Sequence, residues 1–181
     1  MTDTRVRIAS SPGRLARNLI LSLGWYPDCY TTYQNILPAP IVLLDKGIFI
    51  APDTDVLFDQ LGSDFTDYLA AKGFDWKRLA GAKVLRVGGY SARDYIDKVA
   101  HTDSGNFLDH NVRVNSVISS YQLPNGSFSQ RLGDLADSLV LKRTSLLFTI
   151  IPANSATGLP EKVDVPFVAA FIGEPFDDGP S

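Results

Sequence analysis

Apolar and polar positions are most legible between Gly81 and Val99. Lys83–Val87 is a short run with apolar Val84, Leu85 and Val87, and it predicts a buried strand. Gly88-Gly89 then turns the chain, since glycine takes left-handed backbone without steric cost. Ser91 stands where a helix N-cap is wanted, and Asp94 places a carboxylate in the first turn of the helix. Ala92, Tyr95, Ile96 and Val99 recur at helical spacing and make one apolar face, with Gly105 closing the helix.

Other segments follow the same logic. Ile41–Leu44 and Ile48–Ala51 flank Asp45-Lys46-Gly47 and predict a β-hairpin. Val56, Leu57, Leu61, Phe65, Tyr68 and Leu69 predict a helix over Asp53–Ala71, broken at Gly62-Ser63 and stopped at Gly73. Asp75 can cap one tight turn ending at Leu79. A second helical stretch is expected from Asp109 to Tyr121, then a turn at Pro124-Asn125-Gly126. Ser138–Ile151 holds the strand-like run SLLFTII, ended by Pro152. Val163–Val168 reads as a last strand, which Pro166 confines to a sheet edge.

This order predicts an α+β fold. The expected form is a small, partly open β-barrel of five to six strands with two to three helices and a helical insertion. Residues 1–24 read as a peripheral segment, 25–172 as the domain with its insertion at about 104–136, and 173–181 as a tail. Within the first segment, Leu15, Leu19 and Leu23 favour a short amphipathic helix. Arg5, Arg7, Arg14 and Arg17 before it suggest a targeting peptide, but the apolar run of Leu19 to Gly24 is short for one.

Composition narrows the function classes. The 45% hydrophobic content suffices for a core without disulfides. The net charge is −3 and the 17 basic residues are scattered, which argues against a nucleic-acid partner. No apolar run approaches the roughly 18–20 residues of a membrane span. Cys29 is the one cysteine; it forms no internal disulfide and reads as a small packed residue.

Candidate chemistry is sparse. His101, Asp103, Asp109 and His110 fall within ten residues, but their spacing matches no zinc pattern. They read as a helix end, a glycine turn and an Asp-capped helix, and no metal or cofactor is expected. Asp109 and His110 are the acid/base candidates if the chain is a small stand-alone enzyme, such as a cyclase, isomerase or hydrolase. Trp25, Tyr26, Tyr30, Tyr33, Phe107 and Tyr121 would then line its pocket. No Gly-x-Ser-x-Gly elbow is present. Arg113 can clamp a carboxylate or serve as an ion-pair partner.

The strand–Gly-Gly–helix unit is similar to the heart of a PDZ-like domain. Four ordered segments extend the likeness: 27–44, 73–100, 104–121 and 125–136. Together they resemble the carboxy-terminal-processing (tail-specific) serine protease family, in the branch similar to chlamydial protease-like activity factor. The match is to the PDZ-like region upstream of the protease core. The branch's catalytic histidine motif would fall at SLGWYPDCY (22–30), which has no His. The resemblance therefore implies a non-catalytic domain that binds an extended peptide or a protein, including a separate protease domain. It also implies a homodimer as an alternative assembly. A peptide groove would be walled by Ile48, Phe49 and Ile50 on the hairpin and by Tyr95 and Val99 on the helix, with Arg113 toward a carboxylate.

Overall fold

Two consecutive left-handed glycines, Gly88 at φ 57° and Gly89 at φ 90°, fold the chain back on itself after the predicted strand. The computed structural model describes residues 33–104, 107–122, 129–133, 135 and 143–171. The first elements are β1 (Tyr33–Ile36), β2 (Ile41–Leu44), β3 (Gly47–Ile50), α1 (Thr54–Gln60) and α2 (Ser63–Ala71). A 3-10 turn (Lys77–Leu79) leads to β4 (Lys83–Val87), β5 (Tyr90–Ser91), α3 (Ala92–Thr102) and α4 (His110–Val117). The chain continues through β6 (Ser120–Gln122), β7 (Ser129–Arg131), β8 (Ser145–Ile151), β9 (Glu161–Pro166) and β10 (Val168–Phe171).

Local chemistry sets several boundaries. The Ser91 side chain accepts the Asp94 N–H and starts α3. The expected Asp53–Ala71 helix forms as α1 and α2, parted at Gly62, whose φ of 93° no helix accommodates. Asp75 accepts the Arg78 N–H at 3.4 Å above the 3-10 turn. α4 stops at Val117, short of the expected Tyr121, because Ile118 turns to extended backbone and Tyr121 joins β6. The expected final strand becomes β9 and β10, parted at Phe167 just after Pro166.

The main sheet has six antiparallel strands in the order β2-β3-β4-β8-β9, with β5 on β4. It is open, which corrects the expected barrel. Its outermost strands, β2 and β9, do not pair with each other. Proline at the end of β9 has no N–H to offer, and β2 is bonded on its outer side by a loop, as described below. Four helices are described, where two to three were expected.

Two cores result. In β8, Leu146, Phe148 and Ile150 alternate inward and meet Val163 and Val165 of β9 and Ile41, Ile48 and Ile50 of the hairpin. Ala92, Tyr95, Ile96, Val99 and Ala100 of α3 complete this core. A second core joins Leu57 and Phe58 of α1, Phe65 and Leu69 of α2 and Trp76 to Ile36 of β1 and Val168 of β10. Phe58 is fully buried, 5.1 Å from the Phe65 ring and edge-on to Trp76 at 4.9 Å.

Candidate functional site

The outer edge of β2 is where this sheet meets other parts of the chain. β2 and β3 pair through a two-residue turn, with Ile41 opposite Ile50 and Leu44 opposite Gly47. The Ile50 N–H and C=O bond to Ala82 and Gly81, away from β2. Its partner Ile41 therefore points its own polar groups away from β3, as non-hydrogen-bonded pairs do. The Ile41 carbonyl accepts the Ser119 N–H at 2.7 Å on that outer side. Leu43, two residues on, directs its N–H and C=O the same way. It also shares the core-facing side of Ile41, yet it is 47% exposed. Among the described residues, β3 is the only strand paired with β2.

The segment on this edge arrives from α4. The Asp109 carboxylate caps that helix, with Oδ1 accepting the Asn111 and Val112 N–H groups at 2.8 and 3.1 Å. α4 packs on α3. Val117 is fully buried in the core that holds Ile41, Tyr95, Ile96 and Val99, and Ser119 is buried behind it. Gly133 closes the far side. A Cβ at Gly133 would lie 2.5 Å from the Val117 carbonyl oxygen and 2.6 Å from the Ile118 carbonyl carbon. Its φ of +81° independently favours glycine. Residues 117–119 are thus gripped between β2 and Gly133, beside a shallow cleft lined by Leu37, Ala39, Pro40, Leu132 and Leu135.

The residues singled out from sequence are distributed as follows. Ile48, Phe49 and Ile50 lie on β3, an inner strand, and β2 is the outermost strand on that side among the described residues. Tyr95 and Val99 are buried on the inner face of α3. The Tyr95 hydroxyl accepts from Arg143 Nη2 at 3.3 Å. Burial pushes the Tyr95 phenol above the usual tyrosine range, against a smaller opposing pull from Arg143 and Lys98.

The proposed acid/base pair does not converge. Asp109 is turned onto the α4 backbone, whereas His110 Nε2 meets Asp97 Oδ1 at 2.6 Å on the surface. The His101 and His110 rings are 6.2 Å apart, and neither lines the cleft. Among the described residues, no three His, Cys, Asp or Glu side chains gather in a way that could hold a metal. Arg113 Nε is buried with no hydrogen-bond partner among the described residues. Leaving such a donor unpaired costs roughly 1–3 kcal/mol. Phe107 is half exposed. Residues 1–24, Trp25, Tyr26, Cys29, Tyr30 and the 173–181 tail lie outside the described residues, as do the side chains of Tyr33 and Tyr121.

Sequence reasoning did not find Ser119 or Gly133. A lone serine after a helix and a lone glycine after a short strand carry no periodic signal. Their roles arise from contacts between distant parts of the chain. No family model, no curated protein and no solved structure matches this chain.

Proposed function

We propose that this chain is a non-catalytic, PDZ-like recognition domain, related to the upstream region of tail-specific serine proteases. It takes an extended peptide or a segment of a protein partner as an added strand on β2. The observation that carries this reading is the outer edge of β2. There the Ile41 carbonyl already accepts a bond from a segment outside the sheet, and Leu43 directs both backbone groups outward beside its half-exposed apolar side chain. Strand addition uses such an edge: backbone bonds supply affinity, and alternate side chains supply specificity. The strand–Gly-Gly–helix unit from β4 to α3 supports the same reading, since it is the unit in which the sequence resembles a PDZ-like domain.

The test is fluorescence anisotropy of the purified chain with a library of peptides bearing free carboxy termini, with mass spectrometry of the same peptides. Saturable binding without cleavage is expected. Leu43→Pro deletes the outward N–H and leaves the β2–β3 ladder intact, so it should weaken binding by roughly two- to tenfold, the equivalent of one hydrogen bond. Binding indifferent to Leu43→Pro, or no binding across the library, refutes the reading.

A further inference from the structure

We infer that residues 117–119 are a built-in competitor for the β2 edge, and that an incoming strand must displace them to reach Ile41. The inference rests on the reading of β2 as a strand-accepting edge. Ser119 makes the bond to Ile41 that the backbone of an added strand would otherwise make. Val117, fully buried in the core that also holds Ile41, supplies an apolar side chain of the kind such a strand would bury. The chain is therefore its own first ligand at Ile41, while at Leu43 no strand but β3 pairs with β2 among the described residues.

The occupant is held by terms that can be overcome. α4 has eight residues, a length that is marginal as a helix without tertiary support. Its docking leaves Arg113 Nε buried and unpartnered among the described residues. The His110–Asp97 pair that ties α4 to α3 is exposed, and pairs of that kind hold weakly. Against these stand the burial of Val117 and the close fit of Gly133 on the 117–118 backbone. Gly133 is thus the latch of the segment, because any side chain there would clash with the 117–118 backbone.

A synthetic peptide copying Val114–Gln122 is the probe, read by anisotropy against the full chain and its Gly133→Ala variant. Hydrogen exchange at the Ser119 amide reports whether the segment has left β2. Ser119→Pro is a second opened form, which deletes the donor without crowding residues 117–118 and serves if the alanine variant does not fold. The expected result is faster exchange around residue 119 in the Gly133→Ala variant, with the probe bound at least tenfold tighter by the opened forms than by the parent. Equal affinity for parent and opened forms overturns the inference, as does an opened form that binds no probe. The peptide library separates the two claims. Library peptides that bind parent and opened forms alike leave the recognition reading standing and remove the competitor. A probe that binds only the opened forms, with no library peptide binding either, keeps the competitor and removes recognition of foreign peptides.

Discussion

Single residues carry unequal weight here, and two glycines make the difference measurable. Gly89 has φ of +90° and nothing near its missing Cβ, whereas Gly133 has φ of +81° and a carbonyl oxygen 2.5 Å away. Alanine at Gly89 should cost only the left-handed backbone penalty, about 1–2 kcal/mol. Alanine at Gly133 should cost more, and urea unfolding of the two variants gives the cost of the contact by subtraction. Tyr95 offers a test in pH. Its phenol is pushed upward by burial, so the fold favours the neutral form. That contribution is complete below the ordinary tyrosine pKa of about 10 and is lost as pH rises through the higher folded value. Tyr95→Phe should therefore lose less stability than the parent on alkaline titration, as read by urea midpoints between pH about 9 and 11. Equal slopes for the two proteins would mean that Tyr95 is not held in its neutral form.

At the scale of elements, what was legible was what is local. The β4–β5–α3 unit follows from Val84, Val87, two glycines and the Ser91 cap, all within a few residues of one another. The hairpin follows from two apolar runs around Asp45-Lys46, and the break between α1 and α2 from Gly62. α4 was less legible because its pattern is mixed. Val112 is exposed, whereas the charged Arg113 has its Nε buried. That β3 is an inner strand was illegible for another reason. Ile48 and Ile50 do have the alternation of a half-buried strand, but alternation says nothing about which neighbour lies beside a strand. Edge status belongs to the sheet order, and β4 reaches β3 only through a long excursion over α1 and α2. The open sheet was hidden for the same reason, since closure depends on β2 and β9, which are far apart in sequence.

At the scale of the molecule, the two cores divide the labour. The main core joins the hairpin, β4, β8, β9 and α3, while the second gathers α1, α2 and Trp76 onto β1 and β10. Phe74 packs against both. Phe58→Ala should cost about 3–5 kcal/mol by denaturant unfolding, as deletion of a buried aromatic side chain does. If the cores are cooperative through Phe74, fluorescence and circular dichroism should report one transition for this variant; two separated transitions would show that the cores unfold independently. The β1–β10 pair has one more consequence. Tyr33 and Phe171 are paired at one end of that antiparallel ladder, and Ile36 and Val168 at the other. A pull applied at Tyr33 and Phe171 would load the ladder one pair at a time, like a zip, instead of shearing all its bonds together. The domain would give way first at this seam, releasing slack while the main six-stranded sheet still held, so that the seam would act as a mechanical fuse.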